Sequence, residues 1–135
     1  GGIEAAKEKH TVIMTPTTYV YFDYSQARHE DSVVIGGYLP LEKVYKYEPI
    51  PSELSPEDGH YILDAQANIW TEYMTNPYKV EYMMFPRVDA LSEVVWSPKS
   101  ARNWEDFKKR LPYQFKRYDL WGTHYFGDAG EFEAH

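Results

Sequence analysis

The sequence of 135 residues contains no cysteine, so disulfide bonds and thiolate metal sites are excluded. It is also short of positive charge, because 14 lysines and arginines stand against 21 aspartates and glutamates, for a net charge of −7. Nucleic-acid binding calls for clustered basic residues, and we therefore expect no nucleic-acid partner. Long apolar runs are missing too, so the sequence predicts no membrane span.

Histidine does not replace the missing thiolates as a metal ligand. The five histidines are scattered along the chain. One of them opens the run His29-Glu30-Asp31-Ser32-Val33, which starts like the helical zinc motif of metalloproteases. Valine stands at position 33, where that motif needs its second histidine. We therefore predict no metal site and no other cofactor.

Aromatic residues are abundant, at 17% of the sequence, and 13 of them are tyrosines. A chain of this length can form one domain with a real core. Most of the rings are expected to fill that core. A small minority is left over to line a binding site.

Two apolar segments predict buried, parallel strands. The first covers residues 11–15, which are β-branched and apolar, and the second covers residues 61–70. Residues 17–24 are expected to continue extended after the first strand. Alternate residues from Tyr19 to Asp23 would then share one face.

The remaining segments predict four helices. These are expected over residues 1–9, over residues 40–45, after the cap Asn76, and between the cap Asn103 and Gly122. Pro86 and Pro112 lie inside the last two and are expected to bend or break them. Helices alternating with strands indicate the α/β fold class.

The two predicted strands carry similar side chains at their C-terminal ends. Tyr21 and Asp23 follow the first strand, and Trp70 and Glu72 end the second. An aromatic ring beside a carboxylate suits a sugar, whose ring face is apolar and whose rim carries hydroxyls. The pattern therefore predicts the rim of a carbohydrate pocket.

The two acids have other interpretations. Carboxylates on neighbouring strand ends also suit the general acid and nucleophile of a glycosidase. Asp23 and Glu72 would equally fit ordinary exposed acids. Residue types alone leave the three interpretations open.

The ordered motifs of the chain resemble glycoside hydrolase family 20, the β-N-acetylhexosaminidases, from the opening Gly-Gly-x-Glu-Ala-Ala to about Tyr125. The strongest matches are Tyr21-Phe22-Asp23, Pro40-Leu41-x-x-Val44-Tyr45, Ala65-Gln66-Ala67-Asn68-Ile69-Trp70-Thr71-Glu72, Phe85-Pro86-Arg87 and Glu93-Val94-Val95-Trp96-Ser97. One departure is Asp64, where the family usually has glycine.

The resemblance implies a fragment of a (β/α)8 TIM barrel, covering about the last two β/α units. The two strands would be strands 7 and 8 of the barrel, with their flanking helices. A complete barrel takes about 250 residues. Residues 1–126 are accordingly predicted to be the C-terminal portion of the catalytic barrel, and residues 127–135 a flexible tail.

The resemblance also assigns roles to the strand-end residues. Family enzymes use the substrate's own 2-acetamido oxygen as nucleophile, and Tyr21 matches the tyrosine that donates to this oxygen. Asp23 matches an acid that binds a sugar hydroxyl, the 6-OH, and Glu72 one that binds the 4-OH. Trp70 matches a wall of the −1 subsite. The catalytic Asp-Glu pair of the family has no match in this chain.

These assignments predict a parent enzyme that hydrolyses terminal N-acetylhexosamine from glycans, and a fragment that is inactive alone. The alternative is a non-catalytic carbohydrate-binding or structural fragment. Exposed barrel edges would favour self-association. Arg87 is expected to pair with Asp89 or Glu93 and hold its helix.

Overall fold

The computed structural model describes residues 1–30 and 33–134. Helices precede, separate and follow the two strands, in keeping with the α/β class that the sequence predicted. The helices are α1 (Gly2–Lys7), α2 (Thr17–Val20), α3 (Leu41–Tyr45), α4 (Pro56–Gly59), α5 (Pro77–Met84), α6 (Arg87–Trp96) and α7 (Trp104–Trp121). The strands are β1 (Val12–Met14) and β2 (Ile62–Ala65), and two 3-10 turns cover Lys99–Ala101 and Ala129–Glu131.

The two predicted strands pair in parallel, which confirms their relative direction. Val12 lies opposite Ile62 and Met14 opposite Ala65, with an irregularity in register after Val12. Both strands are shorter than predicted, and exposed Ile13 and Leu63 show that the sheet is not buried on both faces. The two segments that follow β1 and β2 nevertheless stay side by side.

A second pairing point lies past the strand ends. Tyr21 and Asn68 form an isolated parallel bridge. The N–H of Phe22 donates to the carbonyl of Asn68 at 2.7 Å, and the N–H of Asn68 donates to the carbonyl of Val20 at 2.9 Å. This bridge holds the two segments that carry the predicted site residues next to each other.

The prediction that residues 17–24 continue extended is wrong. Residues Thr17–Val20 form the helical turn α2, and the N–H groups of Tyr19 and Val20 both donate to the carbonyl of Pro16 at 3.1 Å. Tyr19 therefore leaves the face of Asp23, and its ring stacks on Tyr47 with centroids 4.9 Å apart.

The predicted helix caps are confirmed. The side chain of Asn76 accepts from the N–H of Lys79, and that of Asn103 accepts from the N–H of Asp106. Gly122 ends α7 with a φ of 71°, a left-handed conformation that glycine adopts without strain.

The two helical prolines behave differently. Pro86 separates α5 from α6, as predicted. Pro112 does not break α7, which runs through it. Its neighbour Leu111 is buried, as is Phe107 one turn earlier, and this packing outweighs the helical hydrogen bond that proline cannot form.

The main core lies between α3, α6 and α7 and extends to the loop after α2. Its buried apolar residues include Val20, Phe22, Leu39, Val44, Ala90, Val94, Phe107 and Leu111. Phe22 directly precedes Asp23, so the candidate site stands at the edge of this core.

The segment predicted as a flexible tail, residues 127–135, packs against this core in its described part, 127–134. Phe132 is only 3% exposed and lies against Phe126. Its carbonyl accepts from the N–H of Glu42 at 2.8 Å, and the Glu42 side chain accepts from the N–H of Ala134 at 2.7 Å. Burial of an aromatic ring explains the difference, since it offsets the entropy of ordering a short segment.

In residues 1–30 and 33–134, every helix is either too short or too polar to span a bilayer.

Candidate functional site

Asp23 is the most enclosed of the predicted site residues. Its side chain is only 4% exposed, in the turn that follows the Tyr21–Asn68 bridge. Among the described residues, its buried Oδ1 atom has no hydrogen-bond partner. A buried carboxylate oxygen without a partner is costly. Such an atom is suited to accept a hydrogen bond from a ligand.

The indole of Trp70 stands at the other side of the site. The strand was expected to reach Trp70, but β2 ends at Ala65 and Trp70 lies in the following loop. The indole is 54% exposed. A partly exposed ring of this size offers a flat apolar surface to a ligand.

Asp23 and Trp70 line one narrow cleft. Lys79, Met83 and Ile35 contribute to its walls. Neither Tyr21 nor Glu72 is among the described residues that line it. The structure therefore brings two of the four predicted site residues into one cleft.

The other two lie beside this cleft. Glu72 is exposed in a turn closed by the N–H of Met74, which donates to the carbonyl of Thr71 at 3.0 Å. Its charge acts on Asp23. Tyr21 is half-buried and is held through its backbone at the Asn68 bridge, with its ring 6.1 Å from that of Tyr24.

The protonation of Asp23 is set by its surroundings. Burial raises the pKa of the Asp23 carboxyl, because desolvation disfavours the charged form. Its own backbone N–H and the Arg87 guanidinium oppose this rise, and the negative charge of Glu72 adds to it. The balance between Arg87 and Glu72 therefore influences how readily Asp23 ionises.

Arg87 differs from its sequence prediction, which paired it with Asp89 or Glu93. Asp89 instead accepts hydrogen bonds from Tyr118 and Gln114, and Glu93 pairs with Arg110 at 2.7 Å. Those two acids face α7, whereas Arg87, in the first turn of α6, points into the core. Its guanidinium is fully buried.

The hydrogen bonds of Arg87 go to peptide carbonyls of the chain around Asp23. Its Nη2 atom donates to the carbonyl of Phe22 at 2.6 Å, and Nη1 donates to that of Tyr24 at 2.8 Å. Burial lowers the pKa of Arg87 to about 9, which leaves it cationic at neutral pH. Sequence reasoning missed this contact. The available signal was an arginine among the apolar residues that line the inner face of α5 and α6.

No cluster of three or more potential metal-ligating side chains occurs in the described part of the chain. The incomplete zinc motif falls partly outside it, because Asp31 and Ser32 are not described. Glu30, which directly follows the histidine of that motif, forms an ion pair with Lys79 at 3.5 Å. Another pair of adjacent acids, Glu57 and Asp58, lies on the single turn α4. Both side chains form ion pairs with Lys9.

Comparison with known proteins assigns the chain to a family. The sequence profile of the glycosyl hydrolase family 20 catalytic domain matches residues 1–99 of the 135. The chain belongs to this family. The family 20 chain is 42% identical over 127 residues to a β-hexosaminidase of Porphyromonas gingivalis, a match that covers 93% of the chain and 16% of the relative.

Solved structures show the same relationship. An exo-β-N-acetylglucosaminidase of Vibrio harveyi in complex with N-acetylglucosamine superimposes with a TM-score of 0.80 at 34% identity, over 93% of this chain and 20% of that one. An N-acetyl-β-hexosaminidase of Streptomyces plicatus gives 0.82 at 26% identity, over 95% and 26%. The family 20 chain thus spans about a sixth to a quarter of these relatives.

These matches confirm the predicted fold class. The structural relatives are TIM-barrel enzymes, and the family 20 chain is a small mixed helix and strand unit with the character of a partial barrel. Its candidate site lies beyond the C-terminal ends of β1 and β2, the side of a barrel that carries function.

Proposed function

We propose that the chain supplies one side of the −1 subsite of a β-N-acetylhexosaminidase, which removes terminal, non-reducing N-acetylhexosamine from glycans. Residues 1–126 would form the C-terminal portion of the catalytic barrel. One observation carries the proposal: Asp23, whose buried Oδ1 atom has no hydrogen-bond partner among the described residues, lines the same cleft as the half-exposed Trp70.

The two groups that line the cleft, and Glu72 beside it, each suit one part of a pyranose. The Trp70 indole stacks on the apolar face of the sugar ring. The Asp23 carboxylate accepts from the 6-OH, and Glu72, whose charge reaches Asp23, accepts from the neighbouring 4-OH. The Vibrio harveyi relative was solved with N-acetylglucosamine, which supports this class of ligand.

Tyr21 has the role closest to the chemistry. Its phenol donates to the 2-acetamido oxygen as that oxygen attacks the anomeric carbon. The bond orients the nucleophile and stabilises charge that grows in the transition state. The bridge to Asn68 supports the assignment, because it fixes the backbone of Tyr21 beside the loop that carries Trp70.

A chimera tests the hydroxyl-binding roles. Residues of this chain replace the matching segment of the Porphyromonas gingivalis β-hexosaminidase, and kcat/KM is measured on 4-nitrophenyl N-acetyl-β-glucosaminide. Asp23→Asn and Glu72→Gln should each lower kcat/KM roughly 10- to 100-fold, since each weakens a hydrogen bond to a charged group.

Glu105→Gln is the matched control, because it neutralises an exposed acid on α7. It should leave kcat/KM within about twofold, as expected for a surface substitution. If the two site variants were no worse than Glu105→Gln, the sugar-binding roles would be refuted.

Self-association of the 135-residue chain is a further prediction. Ile13 and Leu63 are exposed on the two strands of the sheet, and an uncovered sheet invites pairing with another copy. Light scattering on a sizing column should show oligomers that Leu63→Lys shifts towards monomer. Leu120→Lys, which changes an exposed leucine on α7, is the control. A monomeric wild-type chain would contradict the prediction.

A further inference from the structure

The Arg87 guanidinium holds the backbone on both sides of Asp23. Phe22 and Tyr24, the neighbours of Asp23, each accept a hydrogen bond from it through their carbonyls, at 2.6 and 2.8 Å. The same group also donates to the carbonyls of Leu39 at 3.1 Å and Met83 at 3.2 Å. Arg87 thus ties the Asp23 turn to the chain before α3 and to the end of α5.

A neutral side chain could provide hydrogen bonds of this kind. Gln26, also fully buried, donates to the carbonyls of Tyr82 and Phe85 at 2.6 and 3.3 Å. Burying a cation costs much more than burying an amide. The use of arginine beside Asp23 therefore needs a reason beyond linking segments.

Two properties of arginine supply that reason. Its planar fork holds several acceptors in fixed directions, which lysine cannot do. Its charge also acts on Asp23 and favours the carboxylate over the neutral acid. Geometry and charge thus converge on one side chain.

We propose that Arg87 is the positioning residue of Asp23: by fixing both flanking carbonyls it keeps the free carboxylate oxygen at the cleft, and so sets how strongly the enzyme prefers a sugar that carries the hydroxyl bound by Asp23. This inference rests on the proposed function, in which that hydroxyl is the 6-OH. Arg87 itself does not touch the sugar.

The electrostatic surroundings agree with this role. Burial and Glu72 raise the pKa of Asp23, and Arg87 lowers it. Lys79 lines the same cleft and pairs with Glu30. Loss of the Arg87 charge therefore leaves Asp23 with a higher pKa, and less of it is ionised as the pH falls.

The experiment uses the full-length chimeric enzyme and two substrates, 4-nitrophenyl N-acetyl-β-glucosaminide and its 6-deoxy analogue. The readout is the ratio of the two kcat/KM values. The unmodified chimera should favour the 6-hydroxyl substrate about 10- to 100-fold. Asp23→Asn should abolish most of that preference, and Arg87→Lys should reduce it about tenfold.

The double variant separates positioning from general damage. If Arg87 acts through Asp23, Arg87→Lys should change the substrate ratio little once Asp23→Asn is present, because the two effects are coupled. If Arg87 were only structural, Arg87→Lys would lower kcat/KM for both substrates by the same factor. The ratio of the two kcat/KM values in this single variant would then equal that of the unmodified chimera. That result would overturn the inference.

The outcomes distinguish this inference from the proposed function. If Asp23→Asn keeps the full preference, the hydroxyl role of Asp23 falls and the inference falls with it. If Asp23→Asn loses the preference and a folded Arg87→Lys retains it, only the inference falls.

A second variant decides the case in which Arg87→Lys does not fold. The Phe22 ring lies 5.0 Å from the guanidinium carbon, and Phe22→Leu removes this cation–π interaction while keeping an apolar side chain. It should lower the 6-hydroxyl preference at least about threefold, because the guanidinium is then held less firmly beside Asp23. An unchanged preference in Phe22→Leu would overturn the inference.

Discussion

The purified 135-residue chain is expected to show no turnover of an aryl N-acetylglucosaminide. In the proposed function the chain supplies a tyrosine, an aromatic ring and two hydroxyl-binding acids, and we expect it to lack the general acid that protonates the leaving oxygen. 4-Nitrophenolate leaves with little help from an acid, so the expected loss rests mainly on the unmatched aspartate of the family pair, which orients the acetamido nucleophile. General acid catalysis, which contributes about 10²- to 10⁴-fold, matters more for a natural glycan, whose leaving group is an alkoxide. The measurement is release of 4-nitrophenol at high protein concentration.

The chimeric enzyme is the positive control, because it contains the same residues together with the rest of a relative's barrel. The isolated chain carrying Glu72→Gln is the negative control for a contaminating hydrolase. Turnover by the chain that Glu72→Gln abolishes would refute the prediction. A titration of the chain with N-acetylglucosamine, followed by tryptophan fluorescence, should saturate only near millimolar concentrations. Saturation at micromolar concentrations would favour the non-catalytic carbohydrate-binding alternative.

Tyr21→Phe in the chimera is expected to lower kcat roughly 10²- to 10³-fold, the range seen when one donor to a developing charge is removed. The phenol orients the acetamido oxygen most strictly while that oxygen attacks the anomeric carbon, so KM should change much less than kcat. Initial rates on the aryl substrate give both constants.

Tyr24→Phe is the matched control, since it removes a phenol from the same turn. Its ring lies 6.1 Å from that of Tyr21, and we expect kcat to stay within about threefold, as for a substitution away from the reacting atoms. A large loss with Tyr24→Phe and a small one with Tyr21→Phe would move the donor role to the neighbouring residue.

Local chemistry was sufficient to predict several elements. Asn76 and Asn103 cap their helices because an amide oxygen satisfies free N–H groups at a helix start, and this depends only on nearby residues. Gly122 ends α7 for an equally local reason, because glycine adopts the left-handed conformation there without strain. The parallel pairing of the two strands could be predicted because both segments are apolar, the first is β-branched, and a long excursion separates them.

Tertiary contacts decided the features that were predicted wrongly. The turn α2 forms where Pro16 sets the backbone angle and the Tyr19 ring stacks on distant Tyr47. Phe132 packs its segment against a core that is assembled from other parts of the chain. Neither partner can be identified from spacing along the sequence.

The site, too, was predictable from the sequence only in part. Tyr21, Asp23, Trp70 and Glu72 were predicted as candidates from residue type, and the structure places Asp23 and Trp70 in one cleft. The burial of Arg87 left a signal in the sequence, but its hydrogen-bond partners could not be predicted, because they are carbonyls, which every residue has. An arginine near Asp89 and Glu93 in sequence looks like half of an ion pair until its direction is known.

The carbonyl contacts of Arg87 also have a consequence for ionic strength. Dissolved ions weaken an exposed pair such as Lys9 with Asp58, since they gather around both charges. They cannot reach a guanidinium that is fully buried and bound to peptide dipoles. The arrangement around Asp23 is therefore expected to be the same at low and at high salt concentration.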